Sequence, residues 1–444
     1  MKIAFIVGTF PALSVSFILN QITGLMDNGH EVDIYALDGS PADLSKLHPV
    51  VKEYHLLDHT YYPPKRPKNA LLRVLKGYGL LLAKLNKDPL VCLQLLKVSY
   101  SQDAKSKYGS EAKLQKLLYK ALPLLGRKSY DIVHCQFGQF GLIALAFQDM
   151  GILKGNKLLT SFRGYDISKY LKKRGEQVYD RLFKEGDFFL ANSEFFRHRA
   201  IKLGCPEEKI VVHGSGIDCD KFTFNPRYLP TDGRVRIATT GRLVEKKGIA
   251  YCIRAIAQLA QSHPNIEYHI IGDGPLKADL QYLIQELGVE RLVKLRGGKP
   301  QPELIEILNT CQLFMATSVT AKDGNQDAPV NTLKEAMAMG MPVIGTHHGG
   351  IPELVEDGVS GFLTPERDAA AIAEKLKYLI DHPEVWPQMG RAGRTRVEQT
   401  YNINQLNHEL MEIYQQLLNS ERPQSPTSAP SIAPPVPKLT SNMN

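Results

Sequence analysis

Short apolar runs alternate along the chain with stretches of helical periodicity, a pattern that predicts parallel βαβ units with helices on the sheet faces. In the first half, strands are expected at Lys2 to Val7, Val32 to Leu37, Asp131 to Cys135, Lys157 to Phe162, Phe188 to Asn192 and Ile210 to His213. A second series runs through Arg236 to Thr240, Glu267 to Ile271, Val293 to Leu295, Leu313 to Ala316 and Pro342 to Gly345. Between them lies the turn-rich run from Asn225 to Gly233, which contains Pro226 and Pro230 and reads as a linker. The expected division is therefore into domains at residues 1–222 and 223–385. Ligands of such sheets bind beyond the carboxyl ends of the strands, so two facing domains would hold substrate in the cleft between them. A helical stretch covers 386–418. From there Pro, Ser, Thr and Ala dominate without hydrophobic periodicity, and 419–444 is expected to be a disordered tail.

A length of 444 residues suits two domains of ordinary size. The six cysteines are scattered without C-x-x-C or metal-like spacing, which fits a reducing compartment and a cytoplasmic protein. The run after Lys2 is too short for a signal peptide, and no apolar run approaches the roughly 18 residues of a membrane span. Net charge is +8, and its distribution matters more than its size. Between Pro64 and Lys128 there are fifteen basic residues against three acidic ones. This insert-like region has amphipathic spacing at Leu71 to Lys76 and at Leu114 to Lys120. Two readings suit it: helices packed on the first sheet with a solvated basic face, or peripheral contact with an anionic membrane surface. No recognised binding motif accompanies the charge, so nucleic acid is not an expected partner.

The chemistry concentrates around Asp327 and Glu335, eight positions apart. Pro329 favours a helix's first turn and Gly340 its end, which puts Asp327 in a loop and Glu335 about two turns into the helix opened by Val330, Asn331 and Thr332. At about 1.5 Å rise per residue the acids stand roughly 10 Å apart, with exposed N–H groups between them. A ligand with hydroxyls at both ends and phosphate in the middle matches this layout. Gly241 to Gly248 follows a strand and offers Arg242 and Lys247 as fixed charge for a diphosphate. Gly272-Asp273-Gly274-Pro275 reads as a tight strand-to-helix turn, and Arg296-Gly297-Gly298 as a neighbouring loop. No G-x-G-x-x-G follows any strand, which argues against a dehydrogenase. His347 and His348 have no acidic partner nearby in sequence, and helix-start chemistry accounts for the turn they precede.

These residues resemble the family 4 retaining glycosyltransferases. Asp327 and Glu335 match an acid-x7-acid signature that usually begins with Glu. Gly241 to Gly248 resembles the G-R-x-x-x-K-G diphosphate site, Gly272 to Pro275 the G-[DE]-G-P turn, and Gly349 to Glu353 the G-G-I-P-E turn. Phe10 to Ile18 is similar to F-P-x-x-S-E-T-F-I of an exopolysaccharide and colanic-acid subset, with Val15 and Ser16 in place of Glu-Thr. His134 to Gly138 resembles His-x-His-Phe-Gly, and Arg163 stands where many relatives have His.

The resemblance covers the chain to about residue 418. It implies an α/β chain of the GT-B fold: two facing Rossmann-like domains, with the C-terminal helix at 386–418 crossing back to the first. It assigns Arg242 and Lys247 to the leaving nucleotide-diphosphate, Asp327 to sugar hydroxyls and Glu335 to the ribose. Val330, Asn331, Thr332, Gly272, Gly274 and Gly297 would surround the nucleotide. Ser14, Phe17, His134, Arg163 and Asp166 would form the first domain's side of the cleft. Arg163 cannot serve as a base; it either binds phosphate or an anionic sugar, or pairs with Asp166. No metal and no cofactor are implied, because cations and helix N-termini stabilise the leaving group and the nucleotide-sugar is a substrate.

The expected function is retaining transfer of a sugar to a saccharide or lipid-linked acceptor in surface or exopolysaccharide synthesis. The enzyme would be cytoplasmic, with the inner face of the membrane as a peripheral site. Two alternatives stay open: a non-catalytic sugar-nucleotide-binding protein, excluded by turnover with any donor, and a sugar-phosphate-processing enzyme on the same fold. Acceptor-dependent release of nucleotide-diphosphate would exclude the second.

Overall fold

The computed structural model describes residues 1–11, 16–40, 47–86, 88–100, 115–127, 129–327 and 330–419. Two parallel sheets organise it. The first contains β1 (Lys2–Thr9), β2 (Glu31–Gly39), β3 (Thr60–Tyr61), β4 (Ile132–Gln136), β5 (Lys157–Phe162), β6 (Phe188–Ala191) and β7 (Ile210–Val212). Their order is β3-β2-β1-β4-β5-β6-β7. The second contains β8 (Val235–Thr240), β9 (Ile266–Ile271), β10 (Val293–Gly297), β11 (Leu313–Ala316), β12 (Val343–Thr346) and β13 (Gly361–Thr364), in the order β10-β9-β8-β11-β12-β13. This is the GT-B architecture. Central strands buried on both faces read as continuous apolar runs, and Ile3 to Ile6 of β1 are wholly buried. The edge strands β3 and β13 were not anticipated: two and four residues are too few to show a period.

The C-terminal stretch differs from the single helix expected. Trp386–Tyr401 and Ile403–Leu418 are separate helices, broken at Asn402, whose extended backbone and side chain cap the second by accepting from Asn404 N at 2.9 Å. The break lets the chain pair with another segment. Ile217 N donates to Tyr401 O at 2.7 Å, and Ile403 N donates to Ile217 O at 3.1 Å. Gly216 makes this approach possible, since a Cβ there would lie 2.6 Å from Ile403 Cα. Both passages between the domains therefore run side by side. Ile217, Cys219 and Phe222 are already buried with the second domain's core, while Leu410, Ile413, Tyr414 and Leu417 complete the first domain's core beside Ile18, Leu19 and Ile22.

Across the cleft, Glu353 of the second domain accepts from the backbone N–H groups of Glu194 and Phe195 at 2.7 Å each. It thereby satisfies orphan donors at the start of the first domain's helix Glu194–Lys202. Lys169 pairs with Asp323 at 2.6 Å, and Arg199 donates to Gln326 Oε1, also at 2.6 Å.

In the basic insert the structure separates two segments that looked alike. Leu117, Leu118 and Tyr119 of the helix Gln115–Ala121 are buried, and Lys120 pairs with Asp38 at 3.3 Å. The amphipathic face expected there is core. Leu114 itself lies outside the described residues.

Candidate active site

Asp327 lies in the loop that follows β11, buried to 7 % exposure. Its Oδ1 is 2.7 Å from Lys246 Nζ and its Oδ2 is 2.8 Å from Lys247 Nζ. Ser318 Oγ donates to Oδ2 at 2.9 Å. Burial alone would raise the carboxyl's pKa, but the ammonium groups of Lys247 and Lys246 overcome it and hold the acid well below the usual carboxylate range. Burial pushes the Lys246 ammonium down, with Asp327 opposing. Two lysines against one aspartate leave net positive charge, and the exposed Arg242 lies on the same loop.

The backbone of Asp327 is fixed from behind. Its N–H donates to His348 Nε2 at 2.9 Å, so that nitrogen carries no proton, and Nδ1–H donates to Glu366 Oε1 at 2.6 Å. Glu366 also accepts from Thr320 N at 2.8 Å. Burial would raise its pKa; the Thr320 and His348 bonds more than offset this. His348 therefore does have an acidic partner, which sequence proximity did not disclose.

The helix Asn331–Ala338 carries Glu335, and Val330 at its N-cap supplies no side-chain bond. Pro329 lies outside the described residues. Asn331 and Thr332 are half-buried at the opening turn, and Thr332 Oγ1 is buried with no partner among the described residues. Such an uncapped start offers N–H groups to an anion. Asn331 and Glu335 line a cavity of 510 Å³ shared with Ile217, Lys221, Gln301 and His48. Burial raises the Glu335 carboxyl to about 7, with Lys334 and Lys221 opposing.

Three loops at the carboxyl ends of β8, β9 and β10 are laced together by backbone. Gly241 N donates to Ile271 O at 3.0 Å, Leu243 N to Asp273 O at 2.9 Å and Gly272 N to Gly297 O at 2.9 Å. A Cβ on Gly272 would stand 1.8 Å from Gly241 O, and one on Gly274 2.5 Å from Leu243 O. Close packing thus accounts for Gly272 and Gly274, expected at the nucleotide. Gly297 takes a left-handed turn beside Gly298, whose N–H donates to Asp273 Oδ2 at 3.0 Å. The lacing sets where Arg242 and Lys247 stand.

On the first domain several expectations need correction. His134 is wholly buried, with Nδ1 2.7 Å from Tyr414 OH and Nε2 2.7 Å from Ser161 Oγ. Burial, with Arg163 and His213 nearby, holds its pKa well below the ordinary value. It anchors the last helix and does not line the cleft. Asp166 accepts from the N–H groups of Arg163, Gly164 and Gly138 at 3.0, 3.1 and 2.8 Å, so it shapes the loop. The Arg163 guanidinium does not pair with it. It donates instead to Gln136 Oε1 at 2.8 Å, Gln21 Oε1 at 3.1 Å and Ser215 Oγ at 3.4 Å, and lies 4.4 Å from the Phe17 ring centre. Burial lowers its pKa to about 10, leaving it charged at neutral pH. The loop it belongs to abuts Asp327's: a Cβ on Gly164 would lie 3.3 Å from Gln326 O. Ser14 and Val15 lie outside the described residues.

Lys246, Glu366 and Lys334 had not been singled out. Lys334 is buried and donates to Ser215 O at 2.8 Å, 4.1 Å from the centre of the Tyr401 ring, and burial lowers its pKa to about 7. Ser215 thus receives one cation from each domain.

The site is thus a cation-rich cleft between two Rossmann-like domains, with a buried acid beside a helix start whose N-cap residue supplies no side-chain bond. Known proteins sharpen this. Residues 220–396 match the Glycosyl transferases group 1 family and residues 106–221 match Glycosyltransferase Family 4. The chain is 34% identical over 424 residues to the amylovoran biosynthesis glycosyltransferase AmsK of Erwinia amylovora, covering 94% of this chain and 100% of that one. It is 27% identical over 274 residues to a GDP-mannose-dependent phosphatidylinositol monomannoside mannosyltransferase of Mycolicibacterium smegmatis, covering 60% of this chain and 72% of that one. Among solved structures, Anabaena Alr3699/HepE in complex with UDP and glucose superposes with a TM-score of 0.66 at 18% identity, over 94% of this chain and 100% of that one. The chain belongs to the family 4 glycosyltransferases and is a glycosyltransferase.

Proposed function

We propose that the enzyme transfers a sugar, with retention, from a nucleotide-diphosphate sugar to a saccharide or lipid-linked acceptor of a surface polysaccharide, and that it works in the cytoplasm at the inner face of the membrane. The observation that carries this reading is Asp327 buried between Lys246 and Lys247, beside the uncapped helix that bears Glu335. In this reading Lys247 and Arg242 take charge developing on the leaving diphosphate, and the helix N-terminus receives a phosphate. Asp327 anchors sugar hydroxyls, Glu335 accepts from the ribose, and Lys246 positions Asp327. The departing phosphate helps take the acceptor's proton, so no carboxylate nucleophile is needed. The relatives suggest where to begin: HepE binds UDP and glucose, and the mycobacterial relative is named for a phosphatidylinositol acceptor. Among the described residues no helix is long and apolar enough to cross a membrane, so attachment would be peripheral. The test is release of nucleotide-diphosphate from a panel of UDP- and GDP-sugars. Release only when an oligosaccharide or polyprenyl-diphosphate acceptor is present supports transfer; release without any acceptor contradicts it.

A pH prediction follows from Glu335. An ionised carboxylate accepts two ribose hydroxyl bonds better than its protonated form, and this one ionises near pH 7. Affinity for the nucleotide-diphosphate should therefore rise about tenfold in all between pH 6 and pH 8, as the ionised fraction goes from about a tenth to about nine-tenths, and level off above that. Glu335→Gln should lower the affinity and flatten the rise, as read by calorimetry.

A further inference from the structure

Of the eight exposed leucines among the described residues, six sit on two neighbouring helices of the first domain. The helix Ala70–Leu82 turns out Leu71, Leu72, Leu75 and Leu82, at 57 % to 67 % exposure, and Pro89–Tyr100 turns out Leu90 and Leu93, at 70 % and 58 %. Their opposite faces are ordinary core: Gly77 and Leu81 on one, Val91, Cys92 and Leu95 on the other. Both helices pack against Gln115–Ala121. The leucines thus face outward from helices that are already anchored. Single exposed leucines need no explanation; six on adjacent helices do.

Charge identifies what they face. Residues 64–86 contain Lys65, Arg66, Lys68, Arg73, Lys76 and Lys84 and no acidic residue. The segment that leads into the first helix is laid back against it. Arg73 donates to Pro67 O at 2.9 Å and Lys68 O at 2.7 Å, and Lys76 donates to Lys65 O at 3.0 Å. Asn69 caps the same helix by accepting from Leu71 N at 2.8 Å. The backbone that carries the exposed cations Lys65, Arg66 and Lys68 is therefore held against the helix that turns out four of the six leucines.

We propose that these two helices form the face that docks on an anionic lipid bilayer, with the leucines entering the acyl boundary and the cations meeting head-group phosphates. A second copy is disfavoured as the occupant because it would bring like charges together. The inference rests on the reading that the enzyme works at a membrane and names the surface that makes the contact.

Co-sedimentation of the full chain with vesicles of phosphatidylcholine, and of phosphatidylcholine mixed with phosphatidylglycerol, tests it. Two variants accompany the wild type: Leu72→Ser with Leu75→Ser and Leu82→Ser, and Lys65→Glu with Lys68→Glu and Lys76→Glu. These residues are exposed, so turnover with a water-soluble acceptor should be unchanged. Wild type should sediment with the anionic vesicles alone, and each variant should lose at least tenfold in bound fraction. Raising salt from about 0.1 M to 1 M shortens the Debye length from about 10 Å to 3 Å and should release most of the protein. Binding to anionic vesicles that survives the leucine substitutions sinks the surface and leaves the membrane reading standing. Binding to neither lipid, or equally to both, ends both. A lipid-free larger species that the leucine variant abolishes assigns the face to a second copy and overturns the proposal.

Discussion

Asp327→Asn should lower turnover at least a hundredfold while leaving affinity for the nucleotide-diphosphate unchanged or higher. The carboxylate offsets two ammonium groups within 2.8 Å, so removing its charge raises the positive potential that a diphosphate meets. The same change deprives the sugar of its anchor, and loss of one transition-state contact of this kind costs about 3 to 4 kcal/mol. It should also destabilise the fold by about 3 kcal/mol, because breaking a buried ion pair leaves its partners uncompensated. Adding Lys246→Met restores the charge balance. The double variant should recover thermal stability without recovering turnover, which separates the chemical role from the structural one. Calorimetry, thermal unfolding and initial rates read the three effects. If nucleotide-diphosphate affinity falls in step with turnover, Asp327 does not act on the sugar alone.

Lys247→Ala carries the second largest effect. Its ammonium is shared between Asp327 and the position assigned to the leaving diphosphate, so the variant should lose both turnover, by about a hundredfold, and nucleotide-diphosphate affinity. Arg242→Ala should lose at least tenfold in turnover without disturbing the fold, since Arg242 is exposed and makes no ion pair among the described residues. Their contrast with Asp327→Asn lies in the sign of the binding change. Wild-type turnover in a folded Arg242→Ala, Lys247→Ala double variant would remove both from the mechanism.

How far such a site can be read from sequence depends on what holds each residue. The placement of Asp327, Glu335 and Lys247 on loop and helix was legible because they sit in short motifs, and the central strands because burial on both faces leaves a continuous apolar run. Glu366 was not legible, and the reason is specific. It follows β13, an edge strand of four residues beginning with glycine, so its return beside His348 could not be anticipated. Arg163 shows the opposite error. Sequence offered Asp166 three positions away, but that carboxylate is taken by three backbone donors. The guanidinium instead finds Gln136 and Gln21, 27 and 142 positions distant. His134 failed for a related reason: its partner Tyr414 lies 280 positions on.

That last contact governs the order in which the molecule can be made. Leu410, Ile413, Tyr414 and Leu417 cover Ile18, Leu19 and Ile22, yet they are synthesised after the whole second domain. Domains ordinarily fold in sequence as they leave the ribosome, the N-terminal one first. Here the nascent first domain must wait with an apolar face open while some two hundred residues are added. A chain ending at Tyr401 should bind more of a hydrophobic dye than one ending at Leu418, and should aggregate sooner on warming. In translation the domain that emerges first is the one that is finished last.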